Sequence, residues 1–192
     1  MTVRTLTQAA RYIDKVGWCL LFPKKGSDLP SLHEAAGRPE DWDGDMARFW
    51  GWKDELPLRG LAWYGVLVRG LKSFVSPALL ADMYPRSGRV DDFRALDLSP
   101  AALSIADELL AQGPSPASLL RQVVGRKEYE RATKELFRQL VITHYGTEEQ
   151  PSGWPSAVIE LTARAFPVKK KGRELAVAVA RLEDIRQGRN AT

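Results

Sequence analysis

The sequence predicts an α+β fold, mainly helical, in which two successive helical units are each closed by a short β-hairpin and a further helix ends the chain. Three stretches predict it. From Ser99 to Gly146 three helical segments, each with its own start or stop signal, run into a β-branched strand. From Trp63 to Val75 a strand, a basic turn and a second strand follow one another. Near the C-terminus Val177, Ala180, Leu182 and Ile185 recur at helical spacing.

In chain order, the first helix is expected over Thr7 to Val16, with Ala9, Ile13 and Val16 inward and Gly17 as its stop. Trp18-Cys19-Leu20-Leu21-Phe22 is wholly apolar and short, and reads as a buried strand or core segment with Cys19 as a core thiol. Ser31 caps a short helix from Leu32 to Ala36. Asp45 caps the next, which Pro57 ends near Leu56. Its Trp50-Gly51-Trp52 reads as core or inter-domain anchors, or else as a base-stacking platform. Trp63 to Val68 forms the first strand of the hairpin, Arg69 to Lys72 its turn and Ser73 to Val75 its return. Ser76-Pro77 then caps a helix to about Tyr84, and the polar stretch Arg86 to Leu98 separates the halves.

In the second half Ser99-Pro100 opens a helix that Gly113 and Pro114 stop. Ser115-Pro116 repeats the cap, and Leu119, Leu120, Val123 and Val124 give the second helix an apolar face before Gly125. The third helix runs from about Lys127 to about Leu140, with Tyr129, Ala132, Leu136, Phe137 and Leu140 inward. Val141 to Tyr145 follows as a strand ending at Gly146. Thr147 to Pro155 reads as a loop, Ala157 to Leu161 as a returning strand or the start of a helix. A final helix spans about Arg173 to Gln187.

The outer face of the third helix carries Lys127, Arg131, Lys134 and Arg138 at i, i+4, i+7 and i+11, one side of a helix and away from its apolar stripe. A short helix, a longer helix with a basic outer stripe, and then a strand is the order of a winged helix, whose third helix lies in the DNA major groove. The expected architecture is therefore tandem winged-helix-like units, residues 1–90 and 91–166, followed by a basic cluster and C-terminal helix over 167–192. Arg69 and Lys72 at the first hairpin tip, and Lys169, Lys170, Lys171 and Arg173 in the basic cluster, would add backbone contacts. The competing reading of the stripe is a solvated face, with Glu128, Glu130 and Glu135 partly neutralising it and Glu130 pairing with Lys134. A basic hairpin tip likewise serves ordinary solubility.

Composition narrows the function further. The 192 residues carry a formal net charge of +4, compatible with a nucleic-acid partner. One cysteine excludes an internal disulfide and a cysteine-rich zinc site. His33 has no second ligand at i+3 or i+4, and His144 stands far from it, so no metal or cofactor is expected. No apolar stretch is long enough to span a bilayer, and the N-terminus lacks a signal peptide's apolar region, so a soluble cytoplasmic protein is expected. Phosphate loops, nucleophile elbows and shaped carboxylate pairs are absent, Asp91-Asp92 and Glu148-Glu149 being adjacent pairs in loops.

Thr7-Gln8-Ala9-Ala10-Arg11, the block Phe49-Trp50-Gly51-Trp52-Lys53-Asp54-Glu55-Leu56-Pro57 and Tyr64-Gly65-Val66-Leu67-Val68-Arg69-Gly70 resemble short proteins related to the AlkZ/YcaQ winged-helix DNA glycosylases. Gly113-Pro114 through Glu135-Leu136 is similar to the later winged helix of such proteins. The resemblance implies DNA binding, and in full-length members excision of alkylated or crosslinked bases through a Gln-x-Asp or Gln-x-Gln motif. Here the segment where that motif would stand reads Gly17-Trp18-Cys19-Leu20-Leu21-Phe22, so no catalytic residue carries over and no glycosylase turnover is expected. Three functions stay open: a non-enzymatic double-stranded DNA-binding regulator or repair accessory, a divergent base-excision glycosylase, and a protein-interaction module.

Overall fold

The computed structural model describes residues 2–42, 44–151, 153–167 and 174–189. Helix α1, Leu6–Val16, begins where the Thr5 side chain accepts from Gln8 N–H and ends at Gly17, whose φ of 78° suits a residue without Cβ. Strand β1, Trp18–Leu20, follows at once, then α2, Leu32–Ala35, capped by Ser31. Helix α3 spans Asp45–Leu58. Asp45 does not cap it; Gly44 stands at the cap with no side-chain bond. Pro57 does not end it either, lying inside the last turn, where only one intrahelical bond is lost and where Leu56 and Pro57 are both buried.

Strands β2, Trp63–Val66, and β3, Lys72–Val75, complete an antiparallel sheet in the order β1-β3-β2. Both of its faces are covered. Cys19, Tyr64 and Phe74 point into a core shared with α1, α2 and α3. Trp18, Leu20, Trp63 and Val75 point into a second core. A strand buried on both sides has no polar alternation, which is why Trp18 to Leu20 reads as one apolar run. Helix α4, Pro77–Met83, starts at the Ser76 cap, and a 3-10 turn occupies Asp92–Ala95 of the polar stretch between the halves.

The second half runs α5 (Pro100–Gln112), β4 (Ser115–Pro116), α6 (Ala117–Val124), α7 (Arg126–Arg138), β5 (Ile142–Glu148) and β6 (Ser156–Leu161), with sheet order β4-β6-β5. Ser99 caps α5 as expected. Ser115-Pro116, the same dipeptide, does not cap α6: it pairs with Ile159 and Val158 of β6. The α6 terminus is served from the sheet instead, Ser118 N–H donating to Ser156 Oγ at 3.1 Å. Only Ala117 and Leu120 of α6 are buried, and Leu119 and Val123 face outward. Strand β5 continues through Gly146 rather than ending there, because a bulge between His144 and Thr147 takes up Gly146 at φ 104°.

A short helix α8, Thr162–Ala165, and the C-terminal α9, Leu175–Arg186, follow. Helix α9 buries Ala178, Leu182 and Ile185 against α4 and the Val68 turn, while Val177 and Ala180, expected inward, are exposed. The second core takes residues from both halves, among them Trp63, Leu140, Phe166 and Leu182. The edge strands β2 and β5 meet through side chains, not a backbone ladder. Trp63 Nε1 donates to Ile142 O and Thr162 Oγ1, both at 3.1 Å. Thr143 Oγ1 accepts from Tyr64 N–H at 3.3 Å. The fold is thus α+β and mainly helical, with two small antiparallel sheets.

Candidate functional site

Helix α7 buries Tyr129, Ala132, Thr133 and Leu136 and leaves Lys127, Arg131, Lys134 and Arg138 exposed on its other side. Of the three acidic neighbours, Glu135 is engaged elsewhere. Glu135 turns away: its carboxylate accepts from Ser99 N–H at 2.9 Å and Ser99 Oγ at 2.6 Å, bracing α5. Glu130 and Lys134 form no ion pair; the pair on this face is Arg131 with Glu128 at 3.7 Å, exposed on both sides and so worth little. Arg121 of α6 adds a cation the spacing argument did not include. It is exposed, with its guanidinium 5.0 Å from the Tyr129 ring centroid.

The C-terminal end of α7 is held by arginines from two other elements. Arg86 donates to Gln139 O at 2.7 Å and Leu140 O at 3.2 Å, and is itself paired with buried Asp92 at 3.1 Å. Arg186 of α9 donates from Nε to Arg138 O at 3.1 Å and from Nη2 to the same oxygen. Burial pulls the Arg186 guanidinium below its ordinary value. Cations at these orphan carbonyls suit the negative end of the helix dipole. They fix the direction in which α7 presents its stripe.

The first hairpin tip does not act as one basic unit. Arg69, at φ 49°, donates from Nε to Gln187 O at 3.0 Å and so docks on the end of α9. Lys72 points toward α3 instead, where burial and the neighbouring Lys53 push its amine below the usual lysine range. Lys169, Lys170, Lys171 and Arg173 lie outside the described residues. Cys19 is fully buried, and burial pushes its thiol far up, which suits a core group and not a nucleophile. Phe49 and Trp52 are core residues and Trp50 is half-buried at their edge.

A second constellation is formed by residues that sequence spacing could not join. Asp54 of α3 and His144 of β5, 90 positions apart, meet at 2.5 Å between Oδ1 and Nε2. Lys53 Nζ stands 2.6 Å from the other carboxylate oxygen and 5.0 Å from the Trp50 ring centroid. Burial pushes the Asp54 carboxyl up, yet the hydrogen bonds from His144 and Lys53 outweigh it and hold the group below the usual carboxylate range. Burial holds the His144 imidazole below its ordinary value against the pull of Asp54. Asp54 is thus ionised and His144 neutral at pH 7, with the Nε2 proton donated to Asp54. The Tyr64 ring packs edge-on against His144, with centroids 5.5 Å apart, and its hydroxyl is buried with no hydrogen-bond partner among the described residues.

Among the described residues no group of three or more His, Cys, Asp or Glu could hold a metal ion, and no helix is long and apolar enough to cross a membrane. An apolar hollow of about 200 Å³ between α4 and α8, lined by Pro77, Leu80, Ala81 and Phe166 among others, offers no titratable side chain. Among families of known proteins, a model described as AlkZ related matches residues 3–184. No curated protein and no solved structure matches the chain.

Proposed function

We propose that this chain, which belongs to the AlkZ-related family, is a non-enzymatic double-stranded DNA-binding protein, a regulator or DNA-repair accessory. The observation that carries the reading is the α7 stripe. It is exposed, with Glu135 drawn away to Ser99, and set in the order α5-β4-α6-α7-β5-β6 with sheet order β4-β6-β5. That order supports reading 91–166 as a winged helix with α7 in the major groove; residues 1–90 would be the companion unit. From Lys127 to Arg138 the stripe extends about 16 Å at 1.5 Å per residue, a length that fits along the groove.

Duplex binding measured at two or more salt concentrations tests this. Four phosphate contacts contribute about −3.6 to the slope of log affinity against log salt. The double variant R131A/R138A is expected to lower that slope by about 2 and to weaken binding, with thermal stability nearly unchanged. Unaltered affinity and slope would move the function to a protein-docking module. Family membership favours a second reading, a divergent base-excision glycosylase. The segment expected to carry the Gln-x-Asp motif, Gly17 to Phe22, is built instead around the buried apolar strand Trp18–Leu20. Release of free base from duplex carrying an alkylated purine, with protein in excess, would establish that second reading.

A further inference from the structure

The loop between β5 and β6 and the hollow between α4 and α8 complement one another. Trp154, in the loop, is 92% exposed, more than any other large apolar side chain among the described residues. An indole left in water is a large apolar area still to be buried, which is why tryptophan so often anchors an interface. Its base is fixed: two residues on, Ser156 opens β6 and accepts from Ser118 N–H of α6 at 3.1 Å. The loop is also acidic. From Tyr145 to Ser156 the sequence has two carboxylates, Glu148 and Glu149, and no lysine or arginine, and both glutamates are exposed.

The hollow has the opposite form. Leu80 and Phe166 are its buried floor, and Ala81 and Pro167 are exposed at its rim. Its volume of about 200 Å³ falls below the roughly 300–1,000 Å³ of sites for drug-sized molecules, and no titratable group lines it, so it suits one large apolar side chain. Arg59, next in the chain to Gly60 of the lining, is exposed, and its pair with Glu55 at 2.9 Å is a surface pair worth little. Trp154 and Phe166 lie beyond opposite ends of β6, Ser156–Leu161, a strand about 20 Å long at roughly 3.3 Å per residue. The ring therefore does not reach the hollow of its own chain.

We propose that Trp154 of one copy inserts into the α4–α8 hollow of a second copy of this chain, with the acidic loop against the Arg59 side of the rim. The apolar ring meets an apolar floor, and the loop carboxylates meet a chain whose formal net charge is +4. Because ring and hollow lie at opposite ends of β6, two copies set antiparallel satisfy both contacts at once and close a dimer. Two anchors of about 150–250 Å² each bury far less than the roughly 1,600 Å² of a standard interface, so the dimer is a transient one. The inference makes no use of the DNA-binding reading.

The test is sedimentation velocity on the full chain, without DNA, from about 10 μM to about 1 mM, the range in which weak pairs form. The parent is expected to move from monomer toward dimer across the series, less so at high salt. W154A and A81E both change exposed positions, where substitution leaves folding nearly intact, and each is expected to weaken association about tenfold or more. W154A keeps the hollow and A81E keeps the ring, so an equal mixture restores one contact and should associate more than either variant alone. A parent that stays monomeric throughout, a variant that associates as the parent does, or a mixture no better than its components overturns the proposal. A monomeric parent with duplex binding weakened by W154A would overturn it too and assign the ring to DNA.

Discussion

Gly65 offers the sharpest test of how the two halves are fitted together. It lies in β2 facing α7 of the other half, and its backbone does not need glycine; only its surroundings do. A methyl placed on it would overlap Phe137 Cδ1, lie 2.6 Å from Trp63 Cη2 and 2.8 Å from Phe137 Cε1. Carbon contacts are comfortable at about 3.5–4.0 Å, so each gap falls short by roughly 1 Å. Trp63 is fully buried and tied by two hydrogen bonds, so it cannot retreat. Phe137 packs against two cores and must carry α7 with it if it moves. Overpacking of this kind costs about 1–3 kcal/mol. For a chain of this length that lowers Tm by about 2–12 °C. The assay is a double-mutant cycle by urea denaturation with G65A, F137L and both together. Shortening Phe137 makes room, so the pair should lose less than the sum of the singles by about 1 kcal/mol. A G65A protein within about 0.5 kcal/mol of the parent, or strictly additive singles, would refute the packing argument.

Two more predictions follow from buried polar groups. R86A removes the partner of buried Asp92 and uncaps the end of α7, so it should cost about 3–5 kcal/mol in urea denaturation, and R86A/D92A should cost less than R86A alone. The His144 imidazole faces Asp54 and Lys53 of α3, Tyr64 of β2 and Lys72 of β3, and burial lowers its pKa in the fold. As pH falls through about 6.5 the unfolded chain takes up a proton that the fold still refuses, so stability should fall with pH below that point. H144Q should flatten this part of the stability profile, and an unchanged profile would count against the assignment.

Much of the fold was legible because its signals are local. Ser76-Pro77, Ser99-Pro100, Gly113 and Gly125 act through their own backbone, and each starts or stops a helix where expected. The inner and outer faces of α7 follow from spacing alone. Ser115-Pro116 shows the limit. It is the same dipeptide as Ser99-Pro100, yet pairing with β6 overrides the local preference and Ser156 supplies the cap. Leu119 and Val123 have helical spacing with Leu120, but whether a neighbour covers them is not written in that segment. The junction cluster was invisible for the same reason. Asp54 and His144 carry no shared motif, and 90 residues separate them.

The Trp63 indole bonds to partners 79 and 99 positions along the chain. Contacts that close loops of this size carry a large entropic cost while the chain is still open. On the way to the native state they belong after the barrier, once each half has its own helices and hairpin. The indole therefore acts as a latch on the exit path. It adds little to the speed at which the chain folds and much to the time it stays folded, because interactions absent from the transition state govern the unfolding rate. Persistence of the joined halves in time, and not only their equilibrium stability, is where that buried N–H acts.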